Sequence, residues 1–421
     1  MKRKHFLSAA ALLAFKPTRS QANLWLPEKP ADNPDESYWQ SLRNLFPLDA
    51  ERVFLNNGTM GITPYPVLQA VQDGFLNAAR NGHYPGHNDN LQKELASVIG
   101  ADVKEVTITK NVSEGVNLAC WGIPLKSGDE VIMTTHEHVG GCFAWLNRAR
   151  MDGICIKTFQ LGKTAAETLE NLEKTITRKT KVIAVPHIPC TIGQILPVKE
   201  ICQLARSKNI ISAIDGAHPL GMIQFNVHEM GCDYYSGCLH KWMLGPLGMG
   251  YFYVRQEMLE KTRCTHVAAY SGSDFNMAAT PPVFGPLTDS AQRFTYGTFC
   301  GPAYAGGLAA IQLYKQIGAG NIERRGRELA GKLQESLLEF GNKIEMLTPV
   351  EAISRGCQIG FRIKNGKEKA NSEFVNAMAL KKIVLRYVGE NGIDCVRVST
   401  HYYNSPAETA MLVDELKKYL A

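Results

Sequence analysis

The sequence predicts an α/β protein with a mostly parallel sheet, followed by a smaller α+β domain. Between residues 106 and 208, short apolar segments rich in β-branched residues alternate with helical patterns. This alternation is typical of right-handed βαβ units. Beyond Thr298 the order changes to two long helices and then strand-like segments. The 421 residues suffice for two domains, each with its own core.

Residues 1–22 have the pattern of an export signal. Residues 2–4 (KRK) form a basic start, residues 6–15 a short apolar stretch, and residues 20–22 (SQA) a small-residue cleavage site. The segment KRKHFL is similar to a twin-arginine signal, with Lys4 in place of the second arginine. We therefore expect an exported, periplasmic protein. The alternative is a cytoplasmic protein that keeps an unprocessed basic N-terminus.

Charge and cysteine usage exclude several classes of protein. Of the formal net charge of +6, five positive charges lie in residues 1–22, which contain no acid, so about +1 is left for the remainder. Such a chain has no electrostatic basis for binding nucleic acid. No run of 18 apolar residues occurs, so we expect no membrane span in the mature form. The 11 cysteines lack paired spacing, which disfavours a disulfide framework or a zinc site.

The large domain is expected at residues 53–300, after an N-terminal arm at residues 23–52. Its core should be a mostly parallel sheet of the seven-stranded type. The predicted strands are residues 106–109, 130–135, 154–159, 181–188, 210–214, 233–239 and 250–255. Helical spacing of apolar residues predicts helices at residues 66–80 and 90–99, from residue 113, and at residues 165–176 and 198–208.

Polar and ionisable side chains follow several predicted strands; they are Ser113, His138, His187, Asp215 and Lys241. In a parallel sheet, ligands bind at the carboxyl ends of the strands. A lysine at such a position is costly to desolvate, which favours a chemical role. An aspartate at one strand end and a lysine at another suit pyridoxal phosphate (PLP): the lysine forms the Schiff base and the carboxylate pairs with the pyridine nitrogen. A buried ion pair is the alternative.

The smaller domain is expected at residues 301–421. Long helices are predicted at residues 302–317 and 321–340, and strands at residues 357–363, 383–388 and 395–401, with a helix at residues 372–381. The last helix should begin after Ser405, because Ser405 and Glu408 form a capping-box pattern with Pro406 at the first helical position.

Together these segments resemble the class V aminotransferase family of fold type I PLP-dependent enzymes. The resemblance runs from about residue 50 to the C-terminus. It is carried by FLNNGTMG, TKNVSEGVNLA, GDEVIMTTHEHVG, VPHIPCTIGQILPVKEI, AIDGAH, HKWMLGPLGMGYFYVR, YGT and VRVSTHYYNSPAE. The segments DGAH and HKW are most similar to the isopenicillin N epimerase branch, and less similar to the cysteine desulfurases.

The resemblance implies roles for four residues around the cofactor ring. Lys241 should hold the cofactor and then move the substrate's α-proton. Asp215 should keep the pyridine nitrogen protonated, because an opposite charge favours the charged form. His138 should stack on the ring. His218 should lie near the phenolic oxygen or the substrate. For both histidines, the alternative is an ordinary buried side chain.

For the cofactor phosphate, the resemblance implies donors at a helix start and from a second subunit. Ser113 with the backbone of Asn111 and Val112 should bind the anion at the helix N-terminus, although Ser113 could also be a plain N-cap. His240 is a further candidate donor. Thr298, in the Gly-Thr pair, should reach the phosphate of the partner subunit, which implies a homodimer with shared active sites.

Two residues are expected to contact the substrate. The resemblance places Arg397 on the α-carboxylate, where a guanidinium can donate two parallel hydrogen bonds. Asn57 is expected as a second carboxylate contact. A surface ion pair for Arg397 and a plain turn role for Asn57 are the alternatives.

The chain departs from the family pattern at three places. Cys190 stands where relatives often have an asparagine, and Cys238 replaces a serine or asparagine three residues before the lysine. Desulfurases carry a nucleophilic cysteine on a loop, and the corresponding loop at residues 389–392 has none. Cys395 lies within the predicted last strand, so we expect it to be buried and unreactive.

We therefore expect a PLP-dependent enzyme that acts on an amino acid or amine. An aminotransferase or epimerase-like reaction is the first interpretation, and a C–S or other β-elimination lyase the second. A non-catalytic binding protein of the same fold is a third, which the presence of Lys241, Asp215 and Arg397 disfavours. The sequence does not choose the reaction, because pocket geometry decides the outcome of the cofactor's common chemistry.

Overall fold

The protein is described by a computed structural model over residues 28, 30, 32–82 and 89–421. The predicted export signal lies outside these residues. The helices are α1 Glu36–Arg43, α2 Tyr65–Asn81, α3 Asp89–Ile99, α4 Val112–Gly122, α5 Val139–Asp152, α6 Ala165–Thr175, α7 Val198–Ser207, α8 Val227–Met230, α9 Gly301–Ile317, α10 Ala319–Leu338, α11 Ala370–Leu380 and α12 Pro406–Leu420. Within the described part, no helix has the length and apolar character needed to cross a bilayer.

The strands form one large sheet, one smaller sheet and two short pairs. They are β1 Val53–Phe54, β2 Val106–Thr109, β3 Glu130–Thr134, β4 Cys155–Phe159, β5 Thr180–Pro186, β6 Ile211–Gly216, β7 Tyr234–Cys238, β8 Gly250–Val254, β9 Phe275–Asn276, β10 Val283–Phe284, β11 Ile344–Met346, β12 Gln358–Ile363, β13 Ile383–Val384, β14 Arg386–Val388 and β15 Cys395–Ser399.

The large sheet confirms the predicted α/β class. Its seven strands lie in the order β2-β8-β7-β6-β5-β3-β4, and β8 alone runs antiparallel to its neighbours. Strands β2, β3, β7 and β8 are buried along their whole length, as expected for a sheet covered by helices on each side, whereas the edge strand β4 is partly exposed. Because the other six strands share one direction, their carboxyl ends meet at one edge.

Helix α5, which follows β3, has no counterpart among the predicted elements. Its apolar residues lie on both sides of the helix: Trp145 is buried, whereas Phe143, Leu146 and Met151 are exposed. This distribution hides the 3.6-residue period by which amphipathic helices are recognised.

The start of α4 corrects the predicted start at Ser113 by one residue. The helix begins at Val112, and Asn111 is the N-cap, with extended backbone and a side chain that accepts from the Glu114 N–H at 2.9 Å. Asparagine is a strong N-cap residue, so Asn111 satisfies one of the free donors at this helix end. Ser113 is therefore not the cap.

The smaller sheet has four antiparallel strands in the order β11-β12-β15-β14. The single strand predicted at residues 383–388 is in fact two strands. Strand β13 pairs in parallel with β1, and β14 pairs with β15. The first half of the segment pairs with β1, which is remote in sequence, and the second half pairs with β15. A local sequence pattern cannot reveal such a division. Helix α12 begins with the expected capping box of Ser405 and Glu408.

Alternation along β15 decides which side chains face the large sheet. Val396 and Val398 belong to the apolar core formed with α10, α11 and α12. Cys395 and Arg397 point to the opposite side, where they contact the carbonyl groups of Thr191 and Cys190.

Helix α1 packs on this body from the N-terminal arm. Its Trp39 and Leu42 lie in the main apolar core. Arg43 forms an ion pair with Glu408 at 2.8 Å.

Candidate active site

Lys241 and Asp215 lie at the carboxyl ends of adjacent parallel strands. Asp215 is the next-to-last residue of β6, and Lys241 follows β7 by three residues. The segment Asn57–Gly61 packs directly on this lysine. Gly61 donates its N–H to the His240 carbonyl at 2.9 Å, and a Cβ at Gly61 would lie 2.0 Å from the Lys241 carbonyl oxygen. Only a glycine allows this approach.

The Lys241 amine contacts His218, whose other ring nitrogen has a defined partner. The Lys241 Nζ lies 3.2 Å from His218 Nε2, and Trp242 Nε1–H donates to His218 Nδ1 at 3.1 Å. Because the indole can only donate, Nδ1 must accept and the neutral ring carries its proton on Nε2. Burial lowers the pKa of His218 well below its usual value, and the Lys241 charge lowers it further. The contact is thus a hydrogen bond when Lys241 is an uncharged amine, which is the nucleophilic form.

His138 is the N-cap of α5 and lies above the same edge. Its Nδ1 accepts from the Gly140 N–H at 3.1 Å, which leaves the proton on Nε2. Desolvation lowers the pKa of His138 to about 4, and the charge of Lys241 acts in the same direction. The His138 side chain is nevertheless exposed. A neutral imidazole therefore remains available for stacking.

The Asp215 carboxylate is held beside the start of α5. Its Oδ1 accepts from the Ala217 N–H at 2.9 Å, and a Cβ at Gly141 would lie 2.7 Å from Oδ2. Burial raises the pKa of Asp215, while the Ala217 N–H and Lys241 oppose this shift. A bound cation near Oδ2 would remove the desolvation penalty.

Glu137 is a buried carboxyl group that sequence reasoning missed. Its Oε1 accepts from the N–H and hydroxyl of Thr134, at 2.9 and 2.8 Å. Burial raises the pKa of Glu137 to about 8, and the nearby charge of Asp215 raises it too. Its position directly before His138, in the segment THEH, was the available signal.

Several donors surround the N-terminus of α4. The Val112 side chain is buried in the core, so its contribution is the backbone N–H at the first helical position. Ser113 Oγ lies close to α5, where a Cβ at Gly140 would be 2.7 Å away. His240 Nδ1 is buried and has no hydrogen-bond partner among the described residues. A bound anion would satisfy this nitrogen.

Thr298 lies two residues after Tyr296, which lines a pocket with Asn111 and Ser113 of the same chain. It is exposed and follows Gly297, whose φ is +70°. Within the described residues, no hydrogen bond of the Thr298 side chain to the other candidate site residues is observed.

Arg397 is completely buried, and every observed partner of its guanidinium is uncharged. It donates to the Cys190 carbonyl at 2.7 Å, to Asn56 Oδ1 at 2.9 Å and to Thr59 Oγ1 at 2.8 Å. Its Nε has no partner among the described residues. Burial lowers the pKa of Arg397 to about 9, and the charge of Arg386 contributes. Such a cation needs an anion to complete its charge balance.

Asn57 is located beside Lys241 but is already hydrogen bonded to protein groups. Its Nδ2 donates to the Lys241 carbonyl at 3.4 Å, and its Oδ1 accepts from the Tyr403 hydroxyl at 2.9 Å. The neighbouring Asn56 is the residue that contacts Arg397. The sequence NNGT contains both asparagines, so local pattern could not decide between them.

His187 does not contribute to the site, although it follows a strand of the same sheet. It is buried, and its Nδ1 lies 3.0 Å from the Tyr235 hydroxyl. Burial lowers the pKa of His187 to about 3. It is a neutral core histidine.

The cysteines near the site are buried thiols. Burial raises the pKa of Cys238 to about 11 and that of Cys395 to about 12. Burial also raises the pKa of Cys190, against the charges of Arg397 and Lys241. Cys238 Sγ donates to the Ala217 carbonyl at 3.4 Å, so it contacts the chain beside Asp215.

These residues fit PLP on three observations. The Asp215 oxygen beside Gly141 can take the pyridine nitrogen, and Lys241 is close enough for its charge to oppose the rise in pKa that burial causes at Asp215. The buried, unpaired nitrogen of His240 and the first N–H groups of α4 can take the phosphate. A mostly parallel sheet with this lysine and aspartate at its carboxyl edge defines a PLP-dependent enzyme of fold type I.

Comparison with known proteins then identifies the family. The model of the family "Aminotransferase class-V" matches residues 53–412. The chain belongs to the class V aminotransferase family and is an enzyme.

Similar proteins carry different activities. The chain is 26% identical over 393 residues to an isopenicillin N epimerase of Streptomyces clavuligerus, covering 90% of this chain and 97% of that one. It is 27% identical over 315 residues to a probable cysteine desulfurase of Pyrococcus abyssi, covering 72% and 76%. The structure of the cystine C–S lyase C-DES with its product cysteine persulfide is similar, with a TM-score of 0.78, 26% identity, and coverage of 87% and 97%.

Proposed function

We propose that the protein is an aminotransferase or epimerase-like enzyme acting on the α-carbon of an amino acid or amine. The observation that carries the proposal is the buried Arg397, whose guanidinium lacks an anionic partner among the described residues. It contacts Asn56 and Thr59, in the segment that packs on Lys241. An α-carboxylate would supply the missing charge. Its α-carbon would then lie between Arg397 and the lysine amine.

Each residue has a separate task in this proposal. When bound, PLP supplies an electron sink for negative charge at the α-carbon. Asp215 would pair with the pyridine nitrogen and keep it protonated. His138 would cover one face of the ring and exclude water there. Lys241 Nζ would take the α-proton, while His218 holds the uncharged amine in place. In transamination the proton would then go to the cofactor carbon, whereas epimerisation requires a proton to reach the α-carbon from the opposite face.

A C–S or other β-elimination lyase is the second candidate. It is supported by the similarity to the cystine C–S lyase C-DES over 87% of the chain. The two reactions share the proton transfer by Lys241. They differ only in whether a substituent leaves the β-carbon.

A cysteine desulfurase is disfavoured, although relatives carry that name. The loop at residues 389–392 contains no cysteine. The nearest cysteine in sequence, Cys395, is fully buried, and burial raises its pKa to about 12. A thiol in that environment is a poor nucleophile at neutral pH.

We also propose that the enzyme is a homodimer with shared active sites. Two observations support this. Thr298 is exposed in the single chain, and the hairpin of β9 and β10 exposes Phe275, Met277, Val283 and Phe284. Exposed apolar clusters of this kind are typical of protein interfaces. A second subunit would cover them.

Export to the periplasm through a twin-arginine-like signal is a further proposal. It is supported by the basic and apolar pattern of residues 1–22. Fractionation of cells producing the full chain, with Lys2 to Lys4 replaced by glutamine as the control, tests it. Cytoplasmic retention of both forms would contradict export.

The experiment that tests the catalytic proposal has two stages. Borohydride reduction of the cofactor-loaded protein should fix the cofactor onto Lys241, with Lys110→Ala as a control variant that keeps the label. The protein is then incubated with a panel of L- and D-amino acids and amines. Chiral chromatography, oxo-acid detection, and assays for pyruvate and sulfide separate epimerisation, transamination and elimination.

Epimerisation or transamination of at least one carboxylate substrate is expected. Elimination as the main reaction across the panel would favour the lyase. Label on a lysine other than Lys241 would contradict the central assignment.

A further inference from the structure

A second arginine lies beside Arg397. In the small sheet, β14 and β15 are antiparallel and Arg386 is directly opposite Arg397. Residues directly opposite in an antiparallel pair project on the same face, and their Cα atoms are about 4.5–5.5 Å apart. Arg386 therefore points to the same side of the sheet as the proposed carboxylate site. Like charges in this position are unfavourable unless something compensates them.

The charge of Arg386 affects the pKa values of residues in the candidate site. It lowers the pKa of His138, after burial and Lys241, and it lowers the pKa of Arg397, after burial. It also acts on His218 and on Cys190. These four residues lie on different elements, so Arg386 lies near the point where they converge.

Glu390 compensates Arg386, but the pair is partly open to solvent. Arg386 Nη2 forms an ion pair with Glu390 Oε1, and the two side chains are 21% and 29% exposed. The next residue, Asn391, donates its amide to the Glu137 carbonyl at 3.1 Å, so this turn is docked beside His138. A partly exposed ion pair contributes little to stability, so an incoming anion can compete with Glu390 at small cost.

We infer that Arg386 is a specificity-determining residue that binds a second anionic group of the substrate, with Glu390 as the competing internal anion. The inference rests on the proposed function, in which Arg397 holds the α-carboxylate. The preferred substrates are then amino acids whose side chain ends in a carboxylate or a similar planar anion. A planar guanidinium recognises such groups through paired hydrogen bonds.

The opposing possibility is that the Arg386–Glu390 pair only holds the turn. The two roles differ in what they discriminate. A structural pair affects all ligands alike, whereas a recognition residue affects only those with a second anionic group.

The test measures binding of dicarboxylates and their monoamides to the cofactor-loaded full chain by calorimetry. Succinate, glutarate and adipate are each compared with their monoamide, which keeps length and removes one charge. The series covers the unknown span between the two guanidinium groups. The wild type should bind at least one dicarboxylate about tenfold more tightly than its monoamide.

Arg386→Gln should abolish that preference and change monoamide binding by less than about threefold from the wild type. Glu390→Gln should increase the preference for the dicarboxylate. Arg386→Lys, which keeps the charge but not the planar fork, should retain part of it. The matched control is Arg327→Gln, because Arg327 also pairs with a glutamate four residues away and is 29% exposed. That variant should keep the full preference.

Equal binding of every dicarboxylate and its monoamide by the wild type would overturn the inference. So would an Arg386→Gln variant that weakens both ligands by the same factor. Failure of the proposed function is seen separately, because borohydride labelling and product analysis do not depend on the second anion. If Arg386→Gln fails to fold, the opposite shifts expected for Glu390→Gln and Arg386→Lys still decide the outcome.

Discussion

Lys241 Nζ and His218 Nε2 lie 3.2 Å apart, and the indole N–H of Trp242 determines which of them donates. The indole occupies Nδ1, so the histidine proton remains on Nε2 and points at the amine. The residue that follows the lysine in sequence thus controls the lysine's hydrogen bond through a side chain 24 residues away.

Trp242→Phe should lower kcat about three- to tenfold with little change in KM. The indole hydrogen bond is worth about 0.5–1.5 kcal/mol, and its loss lets His218 adopt the other tautomer. Steady-state kinetics on the substrate found in the panel measure this. Trp39→Phe is the control, because Trp39 is also buried but lies in the N-terminal helix α1 and not beside His218. Equal losses in both variants would point to a general packing effect.

Arg397→Ala should raise KM for carboxylate substrates strongly, by a binding loss of about 2–5 kcal/mol. Its removal leaves the substrate carboxylate unpaired in a desolvated site. Amines without a carboxylate should be much less affected.

Cys395→Ala should leave turnover largely intact, because the thiol is buried and protonated. If the Cys395 variant no longer released sulfide from cysteine, the protein would be a cysteine desulfurase.

Thr298→Ala should weaken cofactor retention if the partner subunit completes the phosphate site. The expected result is about a tenfold faster loss of cofactor on dilution, because one hydrogen bond to a charged group is worth about 1.5–3 kcal/mol. Cofactor absorbance after dialysis measures it, with Thr265→Ala, also exposed, as the control. A monomer that retains full cofactor at low protein concentration would contradict the shared site.

His187→Asn should make the protein less sensitive to acid. Burial lowers the pKa of His187 in the folded state to about 3, whereas the ordinary value is 6.5. Between these values the unfolded chain binds the extra proton, so the free energy of unfolding falls as the pH drops below about 6.5. One such group contributes up to about 1.4 kcal/mol per pH unit.

Urea unfolding at pH 7, 6 and 5 measures that slope. The variant should lose part of the wild-type slope, although its stability at pH 7 is lower because the Tyr235 hydroxyl loses its partner. The control is His266→Asn, since His266 is exposed. An unchanged slope in the His187 variant would show that other groups carry the acid sensitivity.

The sequence alone determined the fold class, because strand and helix patterns are local. The predicted strands around Asp215 and Lys241 differ from β6 and β7 by one or two residues at their ends. The carboxyl ends of parallel strands must share an edge, so placing these two residues together needed no long-range information. The prediction of a single strand at residues 383–388 was wrong, because the pairing of residues 383–384 with β1 depends on residues far away in the chain.

Tertiary structure alone decided which side chains meet at that edge. The choice of Asn56 over Asn57 as the partner of Arg397 depends on the direction of each amide in a turn packed against β15. The register of β14 on β15 places Arg386 opposite Arg397. Strand register and side-chain direction are set by packing between segments that are remote in sequence, where a shift of one residue would turn each side chain to the other face. No local pattern contains that information.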